Sequence, residues 1–169
     1  AARVNCYPMD LELLFSRQPF MQGDAKRFAC IAPAWSGELA LAADGAALVL
    51  PERFAADNVM VEVVAGGLRA WLAVYANRLR VQVQEAYGQL HVLREGDPAA
   101  PLPATYVKVF ARMRGGEVRF YKDGYSDLRG RFDYASLSTS DLVLVERFAL
   151  LLLHREHGGV VLECAPPPR

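Results

Sequence analysis

Between residues 106 and 134 three alternating segments follow one another without a gap, and this stretch constrains the fold more than any other. Tyr106-Val107-Lys108-Val109-Phe110-Ala111-Arg112 alternates in character, Gly115-Gly116 turns it, and residues 118–122 return. Asp123-Gly124 and Gly130 then lead into residues 131–134. Period-two alternation closed by Gly and Asp turns is the pattern of antiparallel hairpins rather than helices. Val107, Val109 and Ala111 are expected to face one way, with Val118 and Phe120 meeting them across the hairpin. Tyr106, Lys108, Phe110 and Arg112 would then face outward together with Arg119 and Tyr121.

The same punctuation runs along the whole chain. Strand-like segments are expected at Leu11, Leu13 and Phe15, at residues 28–31, at Leu39 and Leu41, and at 47–50. Val59, Val61 and Val63 share a face, residues 68–76 alternate, and residues 79–85 do so strictly. Asp44-Gly45 and Gly66-Gly67 can supply positive φ for tight turns. Pro51 opens a single helical turn, where its missing N–H costs nothing. After residue 85 a second set of strands is expected at 88–93, 106–112, 118–122, 131–134, 148–154 and 159–164, with Ser140-Asp141 capping a short turn. No long helical periodicity interrupts either set. The expected fold is therefore all-β: two small antiparallel β-sandwiches in tandem, residues 1–85 and residues 86–169.

With 19 basic and 19 acidic residues the formal net charge is zero, which removes the electrostatic footprint of a nucleic-acid-binding protein. No apolar run approaches the roughly 20 residues needed to span a bilayer as a helix. The first residue is Ala rather than Met, which reads as a processed product or a piece of something longer. Cys6, Cys30 and Cys164 are odd in number. One bridge, for instance Cys6 to Cys30, and three small buried hydrophobes are both open readings.

Ser126-Asp127-Leu128-Arg129-Gly130-Arg131-Phe132 resembles the Thr-Asp-x-x-Gly-x-Phe turn of carboxypeptidase-regulatory-like (transthyretin-like) β-sandwich modules. Gly88-Gln89-Leu90-His91-Val92, Pro101-Leu102-Pro103 and Tyr106-Val107-Lys108-Val109 resemble that module's first strand, connector and second strand, so the likeness covers about residues 88–164. It implies a transthyretin-like second sandwich in which Asp127, Gly130 and Phe132 are structural. Such modules sit near the C-terminal ends of long bacterial multidomain proteins, as spacers or interaction surfaces. Residues 1–85 look like a generic immunoglobulin-like or macroglobulin-like sandwich.

Candidate chemistry is sparse. His154-x-x-His157 with Glu156 offers two imidazoles and a carboxylate, but a third convergent ligand is not evident, so a solvated turn is expected and no metal. Asp123, Asp127 and Asp133 are too widely spaced for a calcium loop and suit Asx turns. No G-x-S-x-G elbow or phosphate-binding glycine loop occurs. The expectation is a non-catalytic structural or protein-interaction module of a larger bacterial surface or filamentous assembly, with no cofactor, placed extracellularly or at the cell surface. Its partners would be other protein chains or the rest of a parent protein, and exposed sheet edges give a route to homo-oligomers. The alternative is a carbohydrate- or ligand-binding accessory module using the outward face of Tyr106, Lys108, Phe110, Arg112, Arg119 and Tyr121, since Tyr and Arg serve well as anchors.

Overall fold

Alternation and turn chemistry produce three antiparallel sheets in the computed structural model, which describes residues 1–20, 32–43, 45–96 and 98–168. Two compact units result: Ala1–Asp10 with Met21–Ala76, and Leu11–Phe20 with Asn77–Arg169. The expected boundary near residue 85 thus gives way to one between Ala76 and Asn77. The reason is register, because the strictly alternating strand after residue 78 pairs with the strand that follows it.

The first unit holds β1 (Ala2–Pro8), β2 (Trp35–Leu39), β3 (Val59–Ala65) and β4 (Leu68–Val74) in the order β2-β1-β3-β4. Gly66 and Gly67, at φ +55° and +80°, make the two-residue turn between β3 and β4 that matches strand twist. Val4, Cys6, Val59 and Val61 pack with Phe54 into a buried cluster, and Trp35, Leu48, Leu50 and Val63 lean on it. Residues 47–50, expected as a strand, contribute Leu48 and Leu50 to this packing without joining a ladder. The strand expected at 28–31 lies outside the described residues.

The second unit is a two-sheet sandwich. One sheet orders β10 (Arg131–Asp133), β6 (Gln89–Arg94) and β5 (Leu79–Gln84), with β7 (Ala100–Pro101) also on β6. The other orders β12 (Gly158–Cys164), β11 (Val145–His154), β8 (Tyr106–Met113) and β9 (Val118–Tyr125). Leu90 and Val92 from the first sheet meet Val107, Val109, Phe148, Leu150 and Leu152 from the second, and all are fully buried. Tyr134 closes this core, its ring edge-on to Phe148 at 5.5 Å.

Leu11, Leu13 and Phe15 do not form a strand. Residues Leu11–Arg17 are helix α1, with Leu11 and Phe15 buried one turn apart, Glu12 in the first turn and Arg17 in the last. Spacing of i to i+4 and charges that suit the helix dipole decide for helix over the equally regular period of two.

The turn before β10 is built as its residue types dictate. Asp127 Oδ1 accepts from the main-chain N–H of Arg129 and of Arg131, each at 2.8 Å, and Gly130 takes φ +73°. Phe132 packs against the edge of the core cluster, partly buried. The Arg131 N–H bond, foremost among its neighbours' effects, holds the Asp127 carboxyl below its ordinary range although burial opposes it. A folded-state value lowered in this way adds stability above the unfolded value of about 3.9, and that stability is lost as pH falls through the folded value. Asp127→Asn should therefore flatten the loss of stability below about pH 4 relative to the parent chain, read as the urea midpoint of the second unit at successive pH values. Parallel pH profiles for the two proteins would remove Asp127 from the acid response.

Candidate interaction face

The outward row of β8 is as the alternation implies: Val107, Val109, Ala111 and Met113 are buried, while Tyr106, Lys108, Phe110 and Arg112 point away from the core. That face is engaged from within the same unit. Phe15 of α1 is fully buried, edge-on to Phe110 at 5.6 Å and 82°. Lys108 Nζ donates to Ser16 Oγ at 3.0 Å, and the Arg112 guanidinium lies 4.6 Å over the ring of Phe20. Burying a side chain such as Phe15 contributes about 1.5–3 kcal/mol, so this cover is a stable part of the unit. The Tyr106 hydroxyl donates to Asp123 Oδ2 at 3.0 Å. Burial first, then that carboxylate, pushes its pKa up to about 12.

β9 departs from the expected facing. Val109 pairs with Lys122 but Phe110 with Phe120, so one extra residue, Tyr121, is bulged into β9. Phe120 consequently turns outward, edge-on to Phe110 at 5.8 Å and half exposed. Tyr121, expected outside, turns to the core, 5.0 Å from the Phe148 ring, and its hydroxyl accepts from the Ser136 N–H at 3.0 Å. Arg119 pairs in register with inward-facing Ala111 and bridges Asp141 at 3.2 Å. Of the six residues expected to form one face, Tyr106, Lys108, Phe110 and Arg112 lie together and Arg119 and Tyr121 do not. A flat platform for a sugar ring is not what these contacts leave open.

Two clusters lay outside the expected face. In the first unit Glu62 is 3% exposed, and its Oε2 accepts from Asn5 Nδ2 at 2.7 Å and from the Tyr7 hydroxyl at 3.0 Å. Ser36 Oγ donates to Asn5 Oδ1 at 2.7 Å, and Arg69 Nε lies 3.0 Å from Glu62 Oε1 as an ion pair. A lone Glu in the Val-rich run 59–64 was the available signal. In the second unit the His154 and His157 rings lie 4.7 Å apart, and His154 Nδ1 accepts from the Glu156 N–H at 3.2 Å. Burial holds the His154 imidazole below its ordinary pKa, with His157 acting in the same direction. Among the described residues, no three His, Cys, Asp or Glu side chains are placed to share a metal ion.

Cys6 and Cys164 are buried, free thiols, and Cys30 lies outside the described residues. Burial pushes the Cys164 thiol up to about 12, the opposite of what a nucleophile needs. Among the described residues no helix is long and apolar enough to cross a membrane.

A family model described as the AbpF C-terminal domain matches residues 78–169, and one described as the AbpF seventh immunoglobulin-like domain matches residues 1–61. Actin-binding protein F of Dictyostelium discoideum is 35% identical over 166 residues, which is 97% of this chain and 7% of that protein. The chain thus spans a small fraction of the curated relative it matches. No solved structure matches it. These findings make both halves immunoglobulin-like sandwich modules, where the sequence resembled a transthyretin-like module in its second half. They supply no bacterial link, since the relative is a eukaryote's. The expected extracellular or cell-surface location is overturned by the match to a relative described as an actin-binding protein.

Proposed function

We propose that this chain, which belongs to the AbpF C-terminal domain family, serves as a tandem pair of non-catalytic immunoglobulin-like modules in a longer protein associated with actin, and that its work is to hold protein partners. The observation that carries this reading is the 35% identity to actin-binding protein F across 97% of the chain. The chemistry of the molecule supports it. Cys164 is sealed in the core with a raised pKa, and of the aromatic residues of β8, Phe110 packs on Phe15 of α1 while Tyr106 is held by Asp123 and Tyr125.

Co-sedimentation with actin filaments tests the reading. A saturable share of the chain should pellet with filaments, with half-saturation on the order of micromolar, as is usual for a weak single-module contact. Recovery wholly in the supernatant at every filament concentration would remove actin itself as the partner.

A further inference from the structure

The hairpin between β11 and β12 turns through Arg155, Glu156 and His157, and an imidazole closes it. The Glu156 N–H donates to His154 Nδ1, two residues back. An Asx turn makes the same bond with a side-chain oxygen; here a ring nitrogen takes that part. A ring nitrogen that accepts carries no proton, so the neutral ring holds its proton on Nε2. The His157 ring is tilted 35° to that of His154. Its Nδ1 is buried and, among the described residues, has no hydrogen-bond partner. A second proton on His154 would therefore abolish the turn's acceptor, and one on each ring would set two cations face to face.

The same turn is a clamp. His157 O accepts from the Arg78 N–H at 2.9 Å, and Gly158 pairs with Asn77 in an isolated antiparallel bridge. Asn77 and Arg78 lead into β5, and Asn77 Oδ1 accepts from the Leu79 N–H at 3.0 Å. On the other side Arg78 O accepts from the Glu95 N–H at 2.9 Å. The main chain entering β5 is thus held at Arg78 by two bonds, and one of them ends on the histidine turn.

We propose that the turn at residues 154–158 is a proton-operated latch: a proton taken up at His154 Nδ1 removes the acceptor that closes the turn, and the hold on Asn77 and Arg78 is released with it. This stands apart from any reading of the chain's partners. Charged and titratable groups lie on each element around the pair. The turn itself carries Arg155 and Glu156, and the mouth of β5 carries Arg78. Helix α1, whose Leu11 lies beside Gly159, carries Glu12 and Arg17. β8 reaches this end at Tyr106, bonded to Asp123, and residues 158–162 of β12 carry no charge. Of these groups, His157 and Glu156 act on the His154 ring. Burial first, then His157, lowers its pKa, and Glu156 opposes them. The unfolded chain, titrating near 6.5, therefore takes up the proton first. The latch is fully closed above about pH 6.5 and is lost as pH falls through the lower folded value.

Amide hydrogen exchange of the ¹⁵N-labelled chain, corrected for the intrinsic effect of pH, reads the latch. Protection of the Glu156 and Arg78 amides should fall at least about fivefold between about pH 7.5 and about pH 4.5, the worth of one hydrogen bond. The core amides of β8 and β11 should keep theirs, since the opening is local. His154→Asn places an oxygen where Nδ1 stands, closing the turn without taking a proton, so its Arg78 protection should stay level over that range. His157→Ala removes the neighbouring imidazole and should move the loss to higher pH. Level protection in the parent chain across the range overturns the proposal. So does a loss that persists in His154→Asn, which would put the responsible proton elsewhere. Equal loss at the core amides overturns it too, because the event would then be unfolding of the whole unit.

Discussion

Gly130→Ala is expected to destabilise the second unit by at least about 3 kcal/mol, making it one of the costliest single-methyl additions in the chain. Gly130 sits at φ +73°, where any L side chain is strained by about 1–2 kcal/mol. Space adds the larger part. A Cβ there would lie 2.3 Å from the Val92 carbonyl oxygen and 3.2 Å from the Leu102 nitrogen, both main-chain atoms of or beside β6. Backbone cannot swing aside as a side chain can. Relief would stretch the Val92 N–H bond to Gly130 O at 2.7 Å and the Leu102 N–H bond to Val92 O at 2.9 Å. Leaving buried main-chain groups unpaired costs about 1–3 kcal/mol each. Gly116→Ala is the control, because Gly116 has φ +88° and open space around its missing Cβ, so only strain of about 1–2 kcal/mol applies. Urea unfolding followed by near-UV tyrosine signals from Tyr121 and Tyr134 separates the two. Equal losses for both variants would mean that the turn does not press on β6.

What the sequence disclosed, and what it withheld, follows from the range of the forces involved. β8 was legible because its period of two is a local property, and Val107, Val109 and Ala111 went inward as read. The facing of β9 was not, because a bulge is a relation between two strands and leaves the sequence of either one unremarkable. Leu11–Arg17 satisfies both periods, and the exposure of Leu13 between buried Leu11 and Phe15 tells helix from strand. That same ambiguity concealed the fate of the outward face, since α1 supplies the Phe15 ring that meets Phe110. Residues 47–50 have strand composition but find no ladder, because pairing depends on what lies alongside. The Asp127 turn was read correctly in its chemistry and too broadly in its kinship. An Asx bond and a positive-φ glycine solve the same local problem in sandwiches of unrelated descent. Location was beyond reach for a similar reason: a chain of zero net charge carries no physical mark of its compartment.

Glu62→Ala should be the corresponding test of the first unit, with an expected loss of about 3–5 kcal/mol. The ion pair is the minor part. Arg69 has half its side chain in solvent, and such pairs contribute about 0–1 kcal/mol. The larger part is what the carboxylate satisfies in the interior. Removing it takes away the carboxylate oxygen to which Asn5 Nδ2 and the Tyr7 hydroxyl, both in buried residues, donate. Asn5 Oδ1 is held in turn by Ser36, so the amide cannot rotate to compensate without abandoning a second bond. Glu62→Gln keeps a carbonyl oxygen that can accept one of the two donors and should lose only about 1–2 kcal/mol. Both tryptophans, Trp35 and Trp71, lie in this sheet, which makes their fluorescence during urea unfolding a direct readout of the first unit. A large gap between the Ala and Gln variants would assign the stability to the buried donors. Near-equal losses would assign it to the charge on Glu62, and an Ala variant as stable as the parent would mean that water reaches Asn5 and Tyr7 once the carboxylate is gone.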